Sequence, residues 1–199
     1  PTYACALGLW VVETAGELGA YDRKFSLHAS QTLRVLQPMP KSGSIESIGK
    51  ITGVWDKGKA ALIDIGVETK YFLATYGIYL PGLGGWGGER GGVSEVADGG
   101  TGSLWSGSFV TSPEQAALYR LTGDLHPIHI DPTVAQANSF DRPILHGLCT
   151  LGIVAKMIAE AVGAHPSELT KINTRITSPV LPGDEIEVKA NTTSTGINF

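Results

Sequence analysis

Gly147-Leu-Cys-Thr-Leu-Gly-Ile-Val-Ala-Lys-Met-Ile-Ala-Glu-Ala-Val162 is the stretch on which the fold turns. Leu148, Leu151, Ala155, Ile158 and Val162 fall on one helical stripe, and Ile153, Val154 and Met157 make its other sides apolar too. This pattern predicts a helix over 147–162 that is buried nearly all round, with Gly163 closing it. Downstream, 172–177 and 185–190 read as strands around the Leu181-Pro-Gly-Asp184 turn. A buried helix followed by antiparallel strands predicts an α+β fold in which a sheet wraps a central helix.

Immediately upstream, Pro143-Ile-Leu-His-Gly-Leu-Cys-Thr150 leads into that helix. The first N–H groups of a helix have no helical partner and sit at the positive end of its dipole. At Gly147 no side chain keeps a carbonyl oxygen away from such an N–H, so an oxyanion site is possible there. Close helix–sheet packing is an equally good reason for the glycine.

Further upstream, Gly123-Asp-Leu-His-Pro-Ile-His-Ile-Asp-Pro132 packs two acids and two histidines between stiff prolines. Such a turn can aim a carboxylate and an imidazole at one small target, as acid–base chemistry requires. A metal site built from His126, His129 and Asp131 is disfavoured: no third histidine has suitable spacing, and a proline breaks the helical His-x-x-x-His arrangement. Asp131 before Pro132 reads most simply as a helix N-cap. Ser112-Pro-Glu-Gln likewise reads as a helix start, with Ser112 as its cap.

The first half reads as strands and turns. Residues 31–36 form one strand, 44–55 and 60–67 pair across Asp56-Lys-Gly58 as a hairpin, and 71–80 form another strand. Lys57 at the hairpin tip is by default a solvated lysine. Pro81-Gly-Leu-Gly-Gly-Trp-Gly-Gly-Glu-Arg-Gly-Gly92 lacks phosphate-loop or dinucleotide spacing, and 94–108 reads as a flexible connector. The division is therefore 1–92, a linker at 93–111, and 112–199.

The 199 residues suffice for one or two domains, and 42% hydrophobic against 17% charged residues is a globular composition. A net charge of -4 leaves no basic surplus for nucleic acid. The apolar run at 4–12 is too short to span a bilayer. Cys5 and Cys149 read as buried, reduced thiols. Both ends read as cut: no Met precedes Pro1, and Gly196-Ile-Asn-Phe199 looks like the opening of a strand.

Tyr119-Arg-Leu-Thr-Gly-Asp-Leu-His-Pro-Ile-His-Ile-Asp-Pro132 resembles the Tyr-Arg-x-x-Gly-Asp-x-Asn-Pro-Leu-His-x-Asp-Pro pattern of the R-specific 2-enoyl-CoA hydratase 2 family, the MaoC-like hydratases. Leu27-His28 with Gln31, Asp56-Lys-Gly58, the Gly-Gly-Trp-Gly-Gly run, the Pro143–Thr150 segment and Pro179-Val-Leu-Pro-Gly183 match in the same order, so the resemblance covers nearly the whole chain.

The resemblance implies a double hot dog, two sheet-and-helix repeats in one chain. The N-terminal repeat (1–92) would be incomplete, lacking its first helical stretch and, as in the family, the central helix, which leaves room for an acyl chain and CoA; 112–199 would be the catalytic repeat, cut at its C-terminus. It further implies reversible hydration of trans-2-enoyl-CoA to (3R)-3-hydroxyacyl-CoA. Alternatives are dehydration of acyl-carrier-protein thioesters and non-catalytic thioester binding. Asp124 and His129 would be the acid–base pair and Gly147 the donor to the thioester carbonyl. His28, Ala29, Lys57, Leu125, His126, Pro127, Ile128 and Ile176 would contact the substrate. No metal or cofactor beyond the substrate's own CoA is expected. A homodimer is expected, in a bacterial cytoplasm or, alternatively, a peroxisome. His126 stands where the family has Asn, and Ala29 where it has Gly. As an orienting donor beside Asp124, His126 is expected to add its own titration to the activity between pH 5 and 8, around a His pKa of about 6.5.

Overall fold

The computed structural model describes residues 1–92 and 104–199. Its larger sheet is antiparallel and uses β1 (Leu27–Val35), β2 (Ser47–Asp56), β3 (Ala60–Thr69), β4 (Phe72–Pro81) and β6 (Lys171–Arg175), in the order β2-β3-β4-β1-β6. A second sheet holds β5 (Leu104–Val110), β7 (Glu185–Thr192) and β8 (Ile197–Asn198) in the order β5-β7-β8. β6 pairs with β1, Thr32 opposite Asn173, so both halves of the sequence share one sheet.

The expected hairpin forms, with Trp55 opposite Leu62 and Asp56 opposite Ala61. Alternation in β3 and β4 sends Ile63, Ile65, Val67, Phe72, Ala74, Tyr76 and Ile78 into one core. At the hairpin tip the buried Asp56 carboxylate accepts N–H bonds from Gly58 (2.8 Å), Gly85 (2.9 Å) and Gly87 (2.8 Å). These bonds hold its pKa below the ordinary carboxylate value. The glycine run is thus a strap pinned to the β2–β3 turn. At Gly84 a Cβ would lie 2.5 Å from the Ala60 nitrogen and 2.6 Å from the Gly58 oxygen, so only glycine fits.

Four expectations need correction, the last of them at the helix predicted over 147–162. The first half is not strands and turns alone: α1 (Tyr3–Leu7) and α2 (Trp10–Glu17) lie over the larger sheet. The resemblance had implied that this helical stretch was missing. Cys5, Leu9, Val11 and Val12 bury against the sheet core there, and Tyr76 donates to the Cys5 carbonyl at 2.5 Å. An apolar sheet face needs a cover, and the 4–12 run supplies it as helix broken at Gly8. Burial pushes the Cys5 thiol up to about 12 and Cys149 up to about 11, which suits packing roles. Next, the connector is in part a strand: 104–110 form β5 against β7, Phe109 opposite Ile186, while 93–103 lie outside the described residues. Third, Ser112 is not the expected cap. Its carbonyl takes the Gln115 N–H (3.0 Å) in a turn, and α3 (Gln115–Tyr119) starts after Glu114.

The helix predicted over 147–162 is α5 (Gly147–Ala161). Leu148 and Leu151 join the core of the larger sheet, and Ile158 packs with Ile186, Val188 and Ala190 of β7. It bridges the two sheets and is not buried all round: Lys156 and Glu160 pair at 2.9 Å on an exposed side. The reason is coverage, since each sheet reaches only one part of its surface.

Candidate active site

Gly123 (φ 108°) ends the helical turn after α3 and delivers Asp124 into the interior, 8% exposed. Pro127 opens a 3-10 turn over Pro127–His129 whose cap is His126. Then Asp131 caps α4 (Pro132–Ala137) through the Thr133 N–H at 2.8 Å, as the sequence predicted. The prolines at each turn entrance fix φ, so the acid and both histidines are held by local stereochemistry.

Backbone carbonyls only accept, and they assign every imidazole proton here. His129 Nδ1–H donates to the Ile144 carbonyl at 2.8 Å, which leaves Nε2 with the lone pair. His126 Nε2–H donates to the Arg23 carbonyl at 2.7 Å while its Nδ1 accepts the Ile128 N–H at 3.1 Å. His146, the residue capping α5, donates from Nε2 to the Asp124 carbonyl at 3.3 Å. Its ring stacks on His129 with centroids 3.6 Å apart and planes 25° from parallel. Tyr119 covers the other approach, its ring centroid 4.8 Å from that of His146.

Burial lowers the pKa of His126 and His146, and burial together with the neighbouring His146 pushes His129 down to about 3. All three imidazoles are neutral at physiological pH. The expected titration of His126 between pH 5 and 8 is therefore corrected: protonation there would forfeit the Ile128 N–H bond as well as meet the cost of burial.

A cavity of about 450 Å³ opens beside these groups. Of the residues singled out from the sequence, Asp124, His129, Gly147, His28, His126, Ile128 and Ile176 line it. Four do not. Leu125 is 57% exposed on the outside of the turn, and Pro127 is the first residue of the 3-10 turn. Ala29 instead holds Ile176, accepting its N–H at 2.8 Å. Lys57 sits at the hairpin tip and donates to the Arg90 carbonyl. The apolar wall comes from Leu9, Val12, Leu27, Ile78, Phe140 and Leu151, so α2 and its N-cap Leu9 contribute to it. At Gly147 a Cβ would lie 2.6 Å from Ile176 Cδ1, so glycine is required by the packing as well as available for chemistry.

The sequence reading missed His146 and Arg23. A third histidine does arrive in space: the ligand atoms of Asp124, His129 and His146 lie within 4.8 Å of one another. An ion bound to imidazole lies near the ring plane about 2.1 Å from nitrogen. Two near-parallel rings 3.6 Å apart cannot both point their lone pairs at one ion. Of the earlier metal candidates, both His126 nitrogens are engaged and Asp131 is a cap. The arrangement instead suits proton transfer, with a carboxylate, a free imidazole lone pair and a helix N-terminus lining one cavity.

The depressed histidine values have a consequence for stability. Below the ordinary value of 6.5 the unfolded chain takes up protons that the folded chain refuses, down to about 3 at His129. Folding stability is expected to be full above pH 6.5 and to decline as pH falls toward 3. Melting temperatures across that range check it, and His129→Gln should flatten the decline.

Residues 1–73 match the MFE-2 hydratase 2 N-terminal domain and residues 103–198 the MaoC like domain. A Dictyostelium discoideum protein described as a probable enoyl-CoA hydratase 2 is 36% identical over 85% of this chain, which spans 61% of that protein's length. A Mycobacterium tuberculosis protein described as 3-hydroxyacyl-thioester dehydratase Y is 33% identical, over 94% of this chain and 68% of its own. The solved full-length peroxisomal multifunctional enzyme type 2 of Drosophila melanogaster superposes on all of this chain and 36% of its own, with TM-score 0.77 and 29% identity. A further Mycobacterium tuberculosis structure, described as a double hotdogfold, shares the fold at TM-score 0.62 and 14% identity over 99% of this chain and 72% of its own. With its two halves matched in order and its acid–histidine turn in a cavity at the start of α5, the chain belongs to the MaoC-like, enoyl-CoA hydratase 2 family.

Proposed function

We propose that the chain catalyses reversible addition of water to trans-2-enoyl-CoA, giving (3R)-3-hydroxyacyl-CoA in fatty-acyl metabolism. The observation that carries this reading is the meeting of Asp124 and His129 with the α5 N-terminus around one cavity. The thioester carbonyl accepts the Gly147 N–H, which stabilises the enolate oxygen as charge builds there. Water lies between the Asp124 carboxylate and His129 Nε2. Its oxygen bonds to C3, its proton passes to the pair, and the pair returns that proton to C2, so the step is balanced without a redox partner. His129, neutral with its lone pair on Nε2, is in the protonation state a base requires.

The acyl chain lies along Leu9, Val12 and Leu27, in the space between the two repeats of a double hot dog whose second sheet curls round α5. His28, His126, Ile128 and Ile176 frame the thioester, and Ala29, Leu125, Pro127 and Lys57 meet the CoA moiety outside the cavity. The division into an N-terminal repeat at 1–92 and a C-terminal repeat that includes β5, a homodimeric assembly, and a bacterial cytoplasm or peroxisome as the compartment belong to the same proposal. Among the described residues no helix is long and apolar enough to cross a membrane. No metal or cofactor enters any step.

A second reading is dehydration of a 3-hydroxyacyl thioester, favoured by the relative described as a 3-hydroxyacyl-thioester dehydratase, with acyl-carrier protein as the thioester's carrier. It runs the same chemistry in reverse. Incubation with crotonyl-CoA should remove the enoyl-thioester absorbance and yield the (3R) alcohol. Faster turnover of the matching acyl-carrier-protein substrate would favour the second reading. No turnover of either would leave only a thioester-binding module.

A further inference from the structure

The N-terminal half reaches the catalytic turn through Arg23. This residue opens a 3-10 turn, Arg23–Phe25, capped by Asp22 through the Lys24 N–H at 2.9 Å. Its Nη1 lies 2.7 Å from Glu13 Oε1 of α2, and its Nη2 lies 4.0 Å from Asp124 Oδ1. Its backbone carbonyl takes the His126 Nε2–H at 2.7 Å. One residue thus holds both Asp124 and the side chain that caps the Pro127–His129 turn. We propose that Arg23 is a positioning residue for the reaction, a two-point clasp by which the N-terminal helices fix the place and ionic partner of the Asp124 carboxylate.

His126 completes the clasp. An imidazole has two nitrogens on opposite sides of its ring, so Nδ1 caps the turn at the Ile128 N–H while Nε2 reaches across to Arg23. This explains a histidine at a position where the family has Asn: it performs the local cap and adds a tie 103 positions away in sequence.

The charges around Asp124 leave Arg23 a clear role. From β1 comes His28, from the 3-10 turn His126 and His129, and from the start of α5 His146, all with pKa values lowered by burial. Tyr119 of α3 is pushed up by burial and stays neutral. Arg120 donates to the His126 carbonyl at 3.2 Å. Arg23 is the cation whose guanidinium lies within 4.0 Å of the carboxylate, and a guanidinium keeps its charge throughout the working pH range. Glu13 aims it by gripping the other arm of the fork.

This inference rests on the reading of Asp124 and His129 as the reacting pair, and the test separates the two. The kcat and KM of crotonyl-CoA hydration are measured for the parent, Arg23→Gln, Arg23→Lys and Asp124→Asn, with melting curves for each. Arg23→Gln is expected to lower kcat by about tenfold with KM nearly unchanged, since a small displacement of a reacting group is expensive in rate. Arg23→Lys returns the charge and should recover part of the lost kcat, with kcat still below the parent for want of the fork. A folded Arg23→Gln with the parent's kcat overturns the clasp. Should Arg23→Gln not fold, Arg23→Lys decides, and a kcat equal to the parent's overturns it. An inactive Asp124→Asn beside a parent-like Arg23→Gln sinks the clasp alone, whereas an active Asp124→Asn sinks the reading of the pair.

Discussion

Asp124→Asn and His129→Gln are each expected to lose about 10²–10⁴-fold in crotonyl-CoA hydration, the range typical of a general acid–base group. The loss should fall on kcat, because neither group is needed to hold the ground-state thioester. Asn at 124 keeps an oxygen that can accept the His126 N–H, now 3.3 Å from Oδ1, so the turn survives while the charge and the proton acceptor are gone. Gln at 129 retains a donor for the Ile144 carbonyl but has no basic nitrogen and no ring to stack on His146. A modest fall in melting temperature is therefore expected for His129→Gln, and less for Asp124→Asn. The two losses should not multiply in the double variant, since a pair that acts as a unit is non-additive. Either single variant within a few-fold of the parent would show that the reacting pair lies elsewhere.

How much of this was legible in the sequence depended on the range of the interactions. The hairpin at Asp56-Lys-Gly58, the cap at Asp131 and the start of α5 at Gly147 are set by neighbours in the chain, and they appear where they were predicted. Asp124, His129 and Gly147 were singled out from their proline- and glycine-marked turns and from the resemblance, and they line one cavity. His146 was quoted in its motif yet given no role, since its stacking on His129 requires 17 residues of chain to fold back. Arg23 gave no signal at all: a lone arginine in a polar turn acquires meaning only when α2 and the catalytic turn meet around it.

The misreadings have the same origin. Residues 4–12 show an apolar run with no clear period, and only the face of β4, with Tyr76 reaching Cys5, decides that they coil. Glycine and serine in β5 lowered its strand signal, but pairing with β7 overrides propensity. The all-round burial of α5 was overestimated because apolar composition says which sides tolerate burial, not how much sheet there is to supply it.

Gly147 carries the second large effect, and the packing dictates how to measure it. A bare Gly147→Ala would report a collision, since its Cβ would stand 2.6 Å from Ile176 Cδ1. Ile176→Val removes that methyl group and makes room. In this background Gly147→Ala adds a Cβ and keeps the N–H, whereas Gly147→Pro adds a similar Cβ and deletes the N–H. Proline is tolerated at the first position of a helix. It also requires an extended residue before it, and His146 at φ -60° and ψ 131° already is one. The ratio of kcat between the Ala and Pro double variants therefore isolates the hydrogen bond to the thioester oxygen. Loss of one oxyanion donor should make that ratio about 10²–10³ in favour of Ala. KM should differ little, because the donor matters most once charge has built on the oxygen. A ratio near one, with both variants folded and binding CoA ester alike, would assign the carbonyl to a different donor and leave Gly147 as a packing residue.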